Sequence, residues 1–373
     1  MADQTIVDGG KKYYIYGAGD VAREVLYCLR GAPRNLKIEA LIVSDACVDK
    51  GKNVDGIPVI PCDELKYGDG VRVIVAVLEK YRDEICDRLD SIGVKDPILM
   101  TFESDLWCEE RGKAYALYRQ RREKLPYVPL QDGISRVMTG NSGRRSFQVY
   151  VAKSHLDKTL REKPDDHEWE KDIQVGAALT QMRIADVIDC SGKHISEKNR
   201  QYCELTALYW IWKNAAAQSE YVGLCHYRRR FVLSGEDIDK LLCSRVDVVV
   251  TNPVANVPNV LAMYEKNHIP DDWKVMRDGI RKLCPEYLGS LEYLENSNYY
   301  IPYNMFIMQK DVLNAYCGWL FPILEYCEMR CGQKEDTYQN RYIGFLAERL
   351  MTVYLYQHRK RLQVVFSKKH FCE

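Results

Sequence analysis

Apolar and polar positions along the first hundred residues alternate between two periods. Lys12-Tyr-Tyr-Ile-Tyr16 reads as a strand that runs into Gly17-Ala-Gly-Asp20. Val21, Val25 and Leu29 then recur at helical spacing, and Gly31 stops the helix. Ile38–Val43 is a continuously apolar strand ending in Ser44-Asp45, followed by a short strand at Ile57–Ile60, a helical Asp63-Glu-Leu and a strand at Val71–Val77. Glu79–Ile92 is helical, and Pro97–Met100 closes the series. Continuously apolar strands alternating with helices predict a parallel sheet covered on both faces.

Sheet periodicity lapses between residues 101 and 145. Arg111–Leu125 reads as a basic helix ended by Pro126 and Pro129, and Gly133, Gly140 and Asn141-Ser-Gly143 mark a junction. The basic stretch reads as a solvated linker helix or, more sharply, as a contact with an anionic bilayer or a lipid diphosphate.

Strand and helix signals return at Phe147–Ala152 and Ile173–Gly176. Ser196 caps a helix in which Tyr202, Leu205, Tyr209 and Trp212 form an apolar stripe. Strands follow at Tyr221–Cys225, Asp247–Val250 and Tyr300–Met308, and a last long helix spans about 338–358. The pattern predicts three segments: a small doubly wound Rossmann-like domain over 1–106, a basic helical linker over 107–145, and a second α/β domain over 146–373.

The 373-residue length fits two domains of ~150 residues. Lys plus Arg equal Asp plus Glu at 53 each, which argues against a nucleic-acid binder. No apolar run reaches the ~18 residues that span a bilayer, and the first residues lack a secretory signal. The 14 cysteines include no CxxC, so reduced thiols and a cytoplasmic setting are expected, with the inner face of the plasma membrane as the further option.

Gly17-Ala-Gly19-Asp-Val-Ala22 is a GxGxxA turn. Gly17 permits the tight turn, Gly19 lets backbone approach a diphosphate, and Asp45 at the end of the second strand is placed to bond a ribose or base. The same glycines serve close helix–strand packing equally well. The stretch resembles the N-terminal domain of bacterial sugar acetyltransferases and related domains of nucleotide-sugar enzymes.

In the second domain, Asn199–Asn214 (NRQYCELTALYWIWKN), Tyr221–Phe231 (YVGLCHYRRRF), Tyr303–Met308 (YNMFIM) and Ile343–Leu350 (IGFLAERL) carry a resemblance to a family of bacterial capsular and exopolysaccharide glycosyltransferases with an HYRR signature. The resemblance implies a GT-A-like fold. It also implies transfer of a sugar from a nucleotide-sugar donor, UDP-linked by expectation, to a glycan or polyprenyl-linked acceptor in capsule, exopolysaccharide or O-antigen synthesis. The implied partners are those two substrates, without nucleic acid.

Such a transfer must neutralise a leaving diphosphate and take a proton from the acceptor hydroxyl. His226-Tyr-Arg228-Arg229 follows a strand, at the sheet edge where α/β proteins bind ligands. Arg228 and Arg229 are candidates for the diphosphate, with His226 beside them as a donor or metal ligand. Glu348 is the candidate general base; it reads equally as half of a buried pair with Arg341, one face along the same helix. Asn304, Glu204, Asp189, Asn199 and Arg341 are candidate substrate contacts, although Asn304 and Asp189 also suit local backbone capping. Mn²⁺ or Mg²⁺ is the cofactor expectation, but the single DxD, Asp237-Ile-Asp239, follows Ser234-Gly and reads as the first turn of a helix. An NAD(P)-dependent oxidoreductase acting on a nucleotide sugar, resting on the GxGxxA turn, and a non-catalytic nucleotide- or carbohydrate-binding module are the competing readings.

Overall fold

The structure, a computed structural model, describes residues 10–31, 36–44, 53–135, 146–162 and 164–373. The chain divides after Pro126 into two compact units.

The first unit contains β1 (Lys12–Tyr16), α1 (Asp20–Gly31), β2 (Lys37–Val43), β3 (Asn53–Val54), β4 (Ile57–Pro61), β5 (Val71–Val75), α2 (Arg82–Ser91), β6 (Ile98–Leu99) and α3 (Asp105–Tyr118). Its sheet has the order β3-β4-β2-β1-β5-β6, parallel except for the β3–β4 pair. The sheet therefore grows outward in both directions from β1, which is a doubly wound arrangement. Asp63-Glu-Leu makes only a single 3₁₀ turn, over Cys62–Glu64.

The basic helix differs from expectation. Ser104 accepts from the Trp107 amide and caps α3, which packs on α1 inside the first unit. Trp107 is fully buried, and Arg111 is 2% exposed beside Glu24, with its guanidinium over the Phe102 and Trp107 rings. Apolar neighbours at these positions override the basic character of the stretch, so α3 is no solvated linker. Residues 136–145 of the expected junction lie outside the described residues.

The second unit begins with α4 (Leu130–Ile134), β7 (Phe147–Lys153), β8 (Glu170–Gln174), β9 (Val187–Ile188), α5 (Asn199–Tyr202), α6 (Leu205–Asn214), β10 (Tyr221–His226), β11 (Arg229–Phe231), α7 (Gly235–Leu242) and β12 (Val248–Thr251). It continues through β13 (Val254–Ala255), α8 (Val260–Asn267), α9 (Pro270–Leu283), α10 (Leu288–Glu295), β14 (Tyr299–Tyr300), β15 (Phe306–Gln309), α11 (Lys310–Cys331), α12 (Tyr342–Gln357), β16 (Val364–Ser367) and β17 (Lys369–Phe371). The main sheet has the order β16-β12-β15-β10-β7-β8-β9. β15 runs antiparallel to both of its neighbours, and the other strands of this path are parallel. β11 folds back on β10, and β17 pairs with β11. Both units are thus α/β, the fold class that the sequence predicts.

β10 is buried along its length up to His226. At Gly223 an added Cβ would lie 2.9 Å from both Ile307 and Val149, so glycine lets three strands close up. α12 is apolar around most of its circumference and sits within the helical layer. Two features follow for the site. The chain leaves β7 toward β8 and returns to β10 on the other side, which makes a switch point at their carboxyl ends. The reversed β15 brings its own first residues to that same edge.

Candidate active site

His226 ends β10, and a two-residue turn leads to Arg229 directly opposite it. Leu224 pairs with Phe306, so the residues just before β15, Tyr303 and Asn304, lie beside His226. Both take left-handed backbone angles, φ 76° and 50°. Two consecutive non-glycine residues there cost about 1–3 kcal/mol each, less for asparagine, which tolerates this region. Side chains from three other elements hold the bend. The Tyr303 amide donates to Glu348 Oε1 at 3.0 Å, and the Tyr303 carbonyl accepts from His226 Nε2 at 2.5 Å. Asn304 Nδ2 donates to Glu204 Oε1 at 2.6 Å and to the Gly344 carbonyl at 3.2 Å. Asn304 is 1% exposed, and its Oδ1 has no hydrogen-bond partner among the described residues.

The structure therefore brings together Glu204, His226, Arg229, Asn304, Arg341 and Glu348 from distant parts of the chain. Burial pushes the Glu348 carboxyl above the ordinary range; Arg349 opposes this, Glu204 adds to it, and the Tyr303 amide and Arg229 oppose it. Its side chain stays 19% exposed. Burial lowers the His226 pKa, against the pull of Glu204 and with the help of Arg229 and Arg341, so the imidazole is neutral at pH 7. Because Nε2 carries the proton given to Tyr303, Nδ1 is the acceptor nitrogen. The Arg229 guanidinium lies 4.6 Å from the Tyr303 ring centre and 5.4 Å from that of Phe371.

Arg341 does not pair with Glu348. Its Nε donates to Cys203 Sγ at 3.2 Å, while Glu348 Oε2 accepts from Arg349 Nη1 at 2.7 Å. The carboxylate lies nearer to the next residue's long side chain than to one two turns away. The Cys203 thiol is pushed up to about 11, chiefly by burial, with Glu204 adding and Arg341 opposing, so it stays protonated. The last helix begins at Tyr342, after a 3₁₀ turn over Gln339–Arg341.

The other candidates are engaged differently. Arg228 donates to the Cys372 carbonyl at 3.2 Å and lies over Phe371 at 4.5 Å. Asp189 is wholly buried, and its carboxylate accepts from the Gly176 and Ala177 amides and from the Ser196 and Thr206 hydroxyls. Asn199 Nδ2 donates to the Cys203 carbonyl and to Thr206. These two residues tie the loop after β8 to α6; with donors on all sides, Asp189 has no face for a ligand. Lys369 and Phe371 are contacts that the sequence analysis missed. Lys369 Nζ lies 5.5 Å from the Tyr303 ring, and only the basic-aromatic run Lys368-Lys-His-Phe371 hinted at it.

Among the described residues no three His, Cys, Asp or Glu side chains converge on a common point that could hold a metal. Asp237 closes a capping box with Ser234 at the start of α7 and also accepts from Gln131, so the DxD is helix-capping.

In the first unit an alanine Cβ at Gly17, φ 126°, would lie 2.5 Å from the Ala76 carbonyl oxygen, so that glycine serves strand packing. Gly19 faces open space. Asp45 lies outside the described residues. No described helix is long and apolar enough to cross a membrane.

No curated protein matches the chain. A solved structure it resembles is the apo form of WbbM, a bifunctional glycosyltransferase, with 25% identity, a TM-score of 0.54 and 61% of this chain covered. The match spans 45% of the WbbM chain, less than half its length. The family model described as a domain of unknown function (DUF4422) matches residues 151–360, and the chain belongs to that family.

Proposed function

We propose that the second unit is a GT-A-like glycosyltransferase that moves a sugar from a nucleotide-sugar donor, UDP-linked, to a hydroxyl of a glycan or polyprenyl-linked glycan in surface-polysaccharide synthesis. One observation carries this reading: at the carboxyl edge of the sheet, Arg229 and a carboxylate with a raised pKa, Glu348, are held against the same strained Tyr303–Asn304 bend. The likeness to a glycosyltransferase supports it.

Arg229, with Arg341 and Lys369 near it, neutralises the diphosphate as its bond to the anomeric carbon breaks. Glu348 accepts the proton of the acceptor hydroxyl as the new carbon–oxygen bond forms; a raised pKa suits a base working near neutral pH. His226 and Glu204 fix the bend, and through it the Glu348 carboxylate. In this reading the cationic side chains carry the charge compensation.

Thermal shift of the full chain with UDP, UDP-hexoses and NAD(P), with and without Mn²⁺, tests the reading. A ligand bound only by the folded state raises the melting point by mass action. UDP or a UDP-hexose should raise it, and Arg229→Ala should abolish the shift. A shift with NAD(P) alone would move the chemistry to the Gly17 turn and overturn the proposal.

A further inference from the structure

A second opening in the same unit has the opposite charge. A cavity of about 550 Å³ lies between the β8–β9 edge and β11. That volume falls within the ~300–1,000 Å³ of small-molecule sites. Its wall carries four carboxylates, Asp166, Glu170, Asp172 and Asp186, against two cations, Lys171 and Arg230. Such a lining repels a nucleoside diphosphate and suits a neutral polyol or an amine.

Its hydrogen-bond inventory matches hydroxyl groups. Glu170 commits one oxygen to Arg230, and Asp172 commits one to Lys153, which leaves the other oxygen of each without a partner among the described residues. Lys171, in the same wall, supplies an ammonium donor. Acceptors and a donor on one wall are what a hydroxyl needs, because it both gives and takes a hydrogen bond, and bonds to charged groups are the stronger ones. The His167 ring, also in the wall, stacks on Trp169 at 4.4 Å and 7°, a flat plate for the C–H face of a pyranose.

One strand links the cavity to the candidate active site. Successive residues of a strand point to opposite faces. In β11, Arg229 reaches Tyr303 while Arg230 reaches Glu170. We propose that this cavity is a glycan-binding site for neutral or amine-bearing sugars, set on the face of β11 opposite to the candidate active site. A part for it in sugar transfer rests on the transferase reading; the binding does not.

Saturation-transfer NMR on the full chain tests it, with maltotriose, chitotriose, a galactotriose and a glucosamine trimer as probes and a uronic-acid trimer as the charge control. At least one neutral or amine-bearing trimer should bind, and the uronate should not. Asp172→Asn/Asp186→Asn should weaken that binding at least tenfold, with an unchanged urea midpoint and an unchanged UDP thermal shift. His167→Ala, away from the carboxylates, should weaken it as well. No binding by any trimer, binding indifferent to both variants, or preference for the uronate overturns the proposal. Glycan binding without any UDP shift would sink the transferase reading and leave the cavity assignment standing; the reverse pattern would do the opposite.

Discussion

Arg349→Met removes the cation that faces Glu348 while keeping most of the apolar stem. Arg349 is almost fully buried, its guanidinium 4.2 Å from the Tyr300 ring centre and 2.7 Å from Glu348 Oε2. Breaking a buried ion pair from one side costs ~3–5 kcal/mol, because the other charge is left uncompensated. Glu348 is 19% exposed and keeps the Tyr303 amide, which places the expected cost at the low end, about 3 kcal/mol. Titration brackets the same value. Loss of an adjacent cation raises a carboxyl pKa by ~1–3 units, and each unit is worth about 1.4 kcal/mol. The sign is fixed by the direction of the shift. Glu348 already has a folded-state pKa above its unfolded value, so its ionisation opposes folding as pH rises from about 4.3 through the folded pKa. Removing Arg349 enlarges that opposition. The penalty is therefore greatest at pH 8 and shrinks toward pH 4.5, as the carboxyl takes up a proton in the folded state. Urea unfolding of wild type, Arg349→Met, Glu348→Gln and the double variant measures it. Tryptophan fluorescence reports chiefly on the second unit, which holds five of the six tryptophans. At pH 8 the double variant should be more stable than Arg349→Met alone. A cost that is equal at both pH values, with no rescue by Glu348→Gln, would refute the electrostatic account.

Three further outcomes follow from the geometry. Asp189→Ala strips the acceptor from two amides and two hydroxyls; at ~1–3 kcal/mol for each stranded donor it should unfold or insolubilise the second unit, and an unchanged melting point would show that Asp189 is free for another role. Arg229→Ala should weaken UDP binding by ~10–100-fold in calorimetry, the value of one or two charge-assisted bonds, whereas Arg228→Ala, already bound to the Cys372 carbonyl, should cost under about threefold; the reverse ranking would exchange their roles. Gly17→Ala should destabilise the first unit by more than ~2 kcal/mol through its positive φ and the clash with Ala76, read by hydrogen exchange at Ile15 and Val75, and should leave the UDP shift intact.

Much of this arrangement was legible because strands buried on both faces advertise themselves. Ala40–Val43, Tyr221–Cys225 and Val248–Val250 are continuous apolar runs, and each lies in a strand with neighbours on both sides. The phrases around Glu204, His226, Asn304 and Glu348 were singled out separately, and the structure brings the four side chains to one bend. The errors share a cause. Charge in a sequence says nothing of its surroundings: Arg111 looked solvated and is buried, and Asp189 looked available and is saturated. Helical spacing put Arg341 and Glu348 on one face, but the reach of an arginine side chain let Arg349, the next residue, take the carboxylate.

The orientation of β15 was the least legible feature and has the largest consequence. Met305–Met308 is apolar whichever way it runs, so no periodicity reveals its direction. Had it run parallel to β10, Gln309 would lie at the carboxyl edge, and Asn304 would sit at the opposite edge of the sheet. Running antiparallel, with Val222 opposite Met308 and Leu224 opposite Phe306, it delivers the Tyr303–Asn304 bend to the end of β10. The strain of two left-handed residues is then offset by bonds from His226, Glu204 and Glu348, and those bonds orient the three side chains. The bend and the groups that hold it are one unit: a change that relaxes Tyr303 or Asn304 to ordinary backbone angles would release Glu348 and His226 together.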